Sequence, residues 1–291
     1  MKKITKAVFP VAGIGTRFLP ATKVSPKEML PIVDKPLVQY AVEEAIAAGI
    51  TELIFITGRT KLSITKHFDK AYEFENELKK KGQHENLKIV KNIIPEGVTC
   101  IFIKQAEPLG LGHAVLCAKP VIGDHPFAVL LPDDLIDSKK SGATKQLVDI
   151  FHKDGNSIIA VEHVAKEDVS KYGIVDVPET NKKSLVKITD ILEKPKLSES
   201  PSTLGVIGRY ILTPRIFDCI EKTSPGVGSE IQLTDAIKIL LDNESVYAYE
   251  YEGTRYDCGS KLGYMQASIQ YALKDPHIKE EFFEYIKGLK I

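Results

Sequence analysis

The chain has 291 residues, of which 43% are hydrophobic, enough to bury a large core in one big domain or in a core with a smaller appendage. Lys plus Arg and Asp plus Glu both number 39, which argues against a general nucleic-acid or membrane-surface binder and leaves any anionic ligand to be held by local placement of charge. Four cysteines without a CxxC, seven histidines without an HExxH and no run approaching the ~20 apolar residues of a membrane span argue against a disulfide framework, a zinc site and a bilayer segment, so a soluble cytoplasmic protein is expected.

In chain order, "AVFPV" (residues 7 to 11) reads as a buried strand, and Pro10 and Gly13 interrupt the apolar run too early for a signal h-region. "LVQYAVEEAIAAG" then places Leu37, Val38, Ala41, Val42, Ala45 and Ile46 on one helical stripe between Pro36 and Gly49. "LIFIT" (53 to 57) is the next strand, and Gly58 opens a turn into a charged helix expected from about Thr60 to Lys81. "CIFIK" (100 to 104), a helix near 112 to 119 and "FAVLLPDD" (127 to 134), read as a strand ending in acids, repeat the pattern. This alternation predicts parallel βαβ units with helices on both sheet faces.

Beyond residue 150 the grammar changes. "SIIAVEHV", "YGIVDV", "LVKITDILEKP" and "LGVIGRYIL" bring strands closer together, so antiparallel additions are expected, with "NKKS" (181 to 184) as a hairpin tip and "KLSESPST" (196 to 203) as a surface loop. Charged helices are expected at about 230 to 242 and 260 to 289. With no low-complexity linker and no repeat, the expectation is one mixed α/β unit over 1–291, with halves of about 1–135 and 136–260 and C-terminal helices of about 260–291.

In open α/β sheets ligands sit beyond the carboxyl ends of the strands, where Gly13 and Gly15 fall. Phe18 stands where GxGxxG needs its third glycine and no GxxxxGK[ST] occurs, so neither a dinucleotide fold nor a P-loop is supported. The loop that follows carries Arg17, Lys23 and Lys27 and is stiffened by Pro20, Pro26 and Pro31. Fixed cations beside a backbone nest suit a triphosphate, although spacing alone also admits a solvated basic loop. Asp133 and Asp134 at a strand end fit Mg²⁺ or a helix cap, and Asp257 in "RYDCG" fits the metal or a polar turn. Gln105 can match a pyrimidine edge, and Glu193 beside Lys194 can serve sugar hydroxyls and phosphate or form a surface ion pair.

The stretch "GIGTRFLPATKVSPKEMLPIVDKP" resembles the GxGTR…PK signature of nucleotidyltransferases that make nucleoside-diphosphate sugars. The likeness continues in order through "GLGHAV", "FAVLLPDD", "SKYGIVD", "LEKP", "GRYIL", "EIQLTDAI" and "YDCGSKLGYMQA", covering nearly the whole chain. It implies a Rossmann-like three-layer α/β/α nucleotide-diphospho-sugar transferase fold with a mixed, mostly parallel central sheet, its first half holding nucleotide and its second half sugar. It also implies that Ala12, Gly13 and Gly15 cradle the nucleotide, that Arg17 and Lys27 hold the triphosphate, and that Glu28 and Gln105 contact uracil with Gly110 packed against it. Asp133 and Asp257 would hold Mg²⁺, while Gly173, Glu193 and Lys194 would bind glucose 1-phosphate; Asp134 would sit behind the metal or cap a turn.

The activity implied is uridylyl transfer from UTP to glucose 1-phosphate, giving UDP-glucose and pyrophosphate, in a homo-oligomer, dimer or tetramer, that binds neither nucleic acid nor membrane. The same reaction with dTTP and a non-catalytic regulatory homologue are the alternatives. "KEML" and "YDCGSKLGYMQA" favour the uridylyl branch over dTTP, and the presence of Arg17, Lys27, Asp133, Lys194 and Asp257 speaks against a regulatory homologue.

Overall fold

The computed structural model describes residues 2–59, 61–178 and 184–289. The chain begins with β1 (Lys6–Val11), passes through a small hairpin of β2 (Pro31–Ile32) and β3 (Lys35–Pro36), and enters α1 (Leu37–Ala47) at an N-cap supplied by Pro36. It continues through β4 (Glu52–Thr57), α2 (Leu62–Phe68), α3 (Tyr72–Lys80), α4 (His84–Lys91), β5 (Thr99–Lys104), α5 (Leu111–Leu116), α6 (Lys119–Ile122) and β6 (Phe127–Leu130). The remainder comprises β7 (Asp134–Asp137), α7 (Ala143–Asp154), β8 (Ser157–His163), β9 (Gly173–Asp176), β10 (Leu185–Lys187), β11 (Asp190–Glu193) and β12 (Leu204–Leu212). After these come α8 (Ile216–Lys222), α9 (Leu233–Leu241), β13 (Val246–Glu250), β14 (Thr254–Asp257), α10 (Lys261–Ala272) and α11 (Lys279–Lys287).

Ten strands form one sheet in the order β10-β13-β8-β12-β6-β1-β4-β5, with β9 and β11 attached beside β12. β5, β4, β1 and β6 are parallel, β8 and β13 run the same way, and β12, β10 and β11 oppose them. Strands covered on both faces need no polar alternation, which is why β1 and β4 read as continuous apolar runs. In β1, Val8 packs on one face with α5, α8 and α9, whereas Ala7, Phe9 and Val11 pack on the other with α1, α2 and α7. The expected three-layer, mixed, mostly parallel Rossmann-like fold is therefore present.

Pro10 is tolerated inside a central strand because the ladder from β1 to β6 covers only Ala7 and Val8, so Pro10 lies past it at the cleft. Several expected boundaries move. The single helix from about Thr60 to Lys81 becomes α2 and α3, since Phe68 is buried while Tyr72 is exposed and the apolar stripe does not carry across Asp69; its expected first residue lies outside the described set. The helix near 112 to 119 divides into α5 and α6, and the C-terminal one divides around Pro276. The helix expected from about 230 starts only at Leu233. Helix α4, which buries none of its side chains, left no apolar stripe to read. The strand expected over 127 to 134 ends at Leu130, and Asp134 instead opens β7, paired with β14. Of the hairpin tip at 181 to 184, residues 181 to 183 lie outside the described residues.

Strand β12 is buried throughout and carries Arg209 at its centre, 1% exposed. Burial of a cation requires full pairing. Its Nε and Nη2 reach the Glu44 carboxylate at 3.2 and 2.8 Å, Nη1 donates to the carbonyls of Leu131 and Gly208, and Nη2 donates to that of Asp134. Arg209→Met, by leaving Glu44 uncompensated, is expected to cost about 3–5 kcal/mol in urea unfolding, and adding Glu44→Leu to recover part of the loss; equal stability of Arg209→Met and the unmodified chain would contradict this.

Candidate active site

The carboxyl ends of β1, β4, β5 and β6 open on one cleft with three connected parts. A first lobe of about 460 Å³ is lined by Ala12, Gly13, Lys23, Gly58, Lys61 and Gln105. A second lobe of about 570 Å³ is bordered by Arg17, Asp133, Gly173, Glu193, Lys194 and Asp257. Between them lies a recess of about 270 Å³, where Lys27, Glu28, Gln105, Gly110 and Asp133 meet. Ala12, Gly13 and Gln105 border both the first lobe and the recess, and Asp133 borders both the recess and the second lobe.

Each of these side chains is placed by local geometry. Gly15 adopts φ 74° and lines none of the three parts; its carbonyl accepts from Thr22 Oγ1 at 2.7 Å, and a Cβ there would crowd Lys27. It shapes the loop that presents the cations. Gly110 adopts φ 101°, and a Cβ there would lie 2.7 Å from Glu230 Cβ and 2.8 Å from the Ile231 carbonyl, so only glycine lets these segments close on Gln105. Lys194 follows β11 with a left-handed backbone, φ 46°, its amide donating to the Tyr172 carbonyl and its ammonium lying 2.7 Å from Glu193.

Three carboxylates stand close together at the junction. Lys27 Nζ meets Asp133 Oδ2 at 2.5 Å. Burial alone would raise the aspartate and lower the lysine, but the ion pair outweighs it, so Asp133 titrates below its usual range and Lys27 above. Asp257 ends β14, in register with Asp134, and opens the polar turn that follows, its Oδ1 accepting from the Gly259 amide at 3.0 Å. Burial pushes its pKa up, Arg255 opposes, and the Asp134 and Asp133 charges add to the rise. A methyl placed on Gly259 would lie 3.0 Å from Asp257 Oδ1, 3.1 Å from Asp133 Oδ2 and 3.5 Å from Arg17 Nη1. These three groups therefore border one small space. Asp134 turns elsewhere: its Oδ2 accepts from the Gly208 amide at 2.8 Å and its Oδ1 from Arg255 Nε at 2.5 Å.

Reading the sequence alone missed four participants. Lys61 is buried against Glu28 at 2.9 Å, and its position two residues beyond the Gly58-Arg59 turn at the same sheet edge was the available signal. Arg255, which also binds Glu162 and Tyr172, Tyr172 itself, and Glu230 had no distinguishing spacing. Among the described residues, no three His, Cys, Asp or Glu side chains gather into a metal cage, and none of the four cysteines is bridged. No helix of the described residues is long and apolar enough to cross a membrane.

A mixed sheet carrying a glycine turn, paired cations and facing carboxylates at its carboxyl edge defines an α/β protein built for polyphosphate ligands. The family model described as "Nucleotidyl transferase" matches residues 6–274, and the chain belongs to that family. It is 48% identical over 291 residues to the UTP–glucose-1-phosphate uridylyltransferase of Staphylococcus epidermidis, covering 100% of both chains. A UTP-bound UGPase from Acinetobacter baumannii superposes with a TM-score of 0.92 at 44% identity, covering 99% of this chain and 100% of that one. A UDP-glucose pyrophosphorylase complexed with UDP-glucose superposes at 0.85 with 46% identity, covering 94% and 100%.

Glu28, 1% exposed, has its pKa raised by burial, with Lys61 and Lys27 opposing. Lys61→Met removes its nearest counter-ion and is expected to cost about 3–5 kcal/mol at neutral pH. The deficit should shrink as pH falls and Glu28 takes up a proton, since a neutral carboxyl needs no partner; an equal deficit in acid and at neutral pH, followed by chemical denaturation, would contradict it.

Proposed function

We propose that the chain transfers the uridylyl group of UTP to glucose 1-phosphate, giving UDP-glucose and pyrophosphate. The observation that carries this reading is the junction itself: Asp133, Asp257, Arg17 and Lys27 converge where the two lobes of one cleft meet. In it the first lobe, bordered by Ala12, Gly13 and Gln105, takes the nucleotide, with Glu28 and Gly110 completing its inner wall. The second takes the sugar phosphate, with Gly173 and Glu193 at the sugar and Lys194 at its phosphate. This corresponds to a nucleotide half of about 1–135 and a sugar half of about 136–260.

The phosphate of glucose 1-phosphate attacks the α-phosphorus of UTP in line, a new P–O bond forms, the α–β bridging P–O bond breaks, and pyrophosphate leaves. A phosphate monoester loses its second proton with a pKa of about 6, so the nucleophile is ionised at neutral pH and no general base is needed. What the protein supplies is alignment of two polyanions and relief of their repulsion. Arg17 and Lys27 face the triphosphate; Lys27, held charged by Asp133 in this structure, transfers its ammonium to phosphate oxygens as these arrive. Lys194 holds the attacking phosphate.

Asp133 and Asp257 fit a divalent cation, proposed to be Mg²⁺, because this ion takes one or two carboxylates together with substrate phosphates rather than a protein cage. When bound it neutralises charge on the transferring phosphoryl group. The uridylyl reading is tested by pyrophosphate release from glucose 1-phosphate with UTP, dTTP, CTP, ATP or GTP. UTP should exceed dTTP, and both should far exceed the purine nucleotides; faster turnover with ATP or GTP would overturn it.

The roles separate by mutation. Asp133→Asn and Asp257→Asn should each lose about a hundredfold or more in turnover, with partial rescue by high Mg²⁺, and Asp134→Asn clearly less. Lys194→Ala should weaken use of glucose 1-phosphate more than of UTP, whereas Lys27→Ala should cut turnover most. A larger defect in Asp134→Asn than in Asp133→Asn, or one common loss in both lysine variants, would overturn these assignments.

A further inference from the structure

Gln105 leaves β5 with its amide donating to the Thr57 carbonyl, and its side chain, 5% exposed, borders both the first lobe and the recess. Its Nε2 lies 3.2 Å from the Gly110 carbonyl and 2.9 Å from His113 Nδ1. A carbonyl oxygen only accepts, so the group facing Gly110 is the NH₂. That same NH₂ faces His113, so Nδ1 of His113 accepts and the ring proton sits on Nε2. Both hydrogens of the amide are thereby engaged. Among the described residues nothing donates to Gln105 Oε1, which leaves a fixed acceptor at the wall of the nucleotide lobe.

We propose that His113 is a positioning residue for base choice: by accepting from Gln105 it holds the amide with its oxygen toward the base. The proposal rests on the uridylyl reading and deepens it. An acceptor-only group suits the N3–H of uracil, whereas cytosine has a lone pair on N3 and opposes it acceptor to acceptor. An amide free to turn could offer its NH₂ to cytosine N3 and its oxygen to the exocyclic amine, and would lose that discrimination. Gly110 alone secures one of the two hydrogens; His113 secures the second.

The test compares His113→Leu, which removes the acceptor, with His113→Asn, whose side-chain oxygen can replace Nδ1. Each is assayed with UTP and with CTP at saturating glucose 1-phosphate and Mg²⁺. His113→Leu should raise the KM for UTP and lower the UTP:CTP ratio of kcat/KM by about tenfold each, the worth of one neutral hydrogen bond, with kcat for UTP changed less than about threefold. His113→Asn should keep the ratio within about threefold of the unmodified enzyme. An unchanged ratio in His113→Leu, an equal fall with both nucleotides, or failure of His113→Asn to restore the ratio overturns the proposal. If the leucine variant does not fold, ¹⁵N NMR of the unmodified protein decides: the Nε2–H tautomer of His113 supports the arrangement, and a proton on Nδ1 overturns it. Absence of UTP turnover in the unmodified enzyme would overturn the uridylyl reading, and the base choice with it, while the NMR result would still report the tautomer.

Discussion

The guanidinium of Arg209 lies beneath the turn that joins β6 to β7, and its hydrogen bonds hold that turn in shape. Its acceptors come from separate parts of the chain: Glu44 on α1, the carbonyls of Leu131 and Asp134 in the turn, and that of Gly208 on β12. Moving any of them would uncover a buried charge whose desolvation costs several kcal/mol. The direction of the two acids follows from this constraint. Asp134 is drawn down to the Gly208 amide, and a side chain at Gly208 would collide with it, since a Cβ there would lie 2.5 Å from Asp134 Oδ2. Asp133 is left at the cleft.

Placing Asp133, Asp134 and Asp257 so near one another is electrostatically costly, and the protein offsets it with a cation on each side. Lys27 faces Asp133 from the loop after β1, and Arg255 faces Asp134 from β14. The two pairs differ in what they permit. Arg255 is further tied to Glu162 and Tyr172, which suits a fixed strut, whereas Lys27 has one short partner and sits at the junction of the lobes. Among the described residues Asp257 has no such dedicated cation: burial pushes its pKa up, and the neighbouring Asp134 and Asp133 charges add to the rise while Arg255 opposes it.

The parts of this arrangement differ in how far the sequence discloses them. Short continuous apolar runs revealed β1, β4, β5 and β12, and a period-3.6 stripe revealed α1, because burial on both sheet faces or along one helix face is written in local spacing. Helix α4 and the break between α2 and α3 were not legible, since solvent-exposed faces leave no stripe. The glycine turn and the cations after it could be read as a phosphate site, and the family likeness supplied roles that spacing alone left open. What escaped were pairings across long separations. Lys61 with Glu28, Arg255 with Asp134 and Arg209 with Glu44 are contacts between residues whose identities alone carry no address. The strand assignment for Asp133 and Asp134 failed for a related reason: a run of "LLPDD" does not say that the backbone changes sheets after Leu130, which is decided by the pairing of β7 with β14.

The reversed strand β12 forms the floor of the second lobe. It lies between β6 and β8, antiparallel to both, with Arg209 opposite Leu130 at the carboxyl end of β6. A parallel strand at this place would end in a loop at the cleft. The reversed strand instead crosses beneath the second lobe as continuous backbone, and Val206, Gly208 and Tyr210 line it. On that floor the β9–β11 pair raises Gly173 and Glu193, with Lys194 just beyond, while β14 brings Asp257 to the facing side. The first lobe is thus shaped largely by loops, which leave it adaptable, and the second largely by strands, which hold its lining side chains in fixed register.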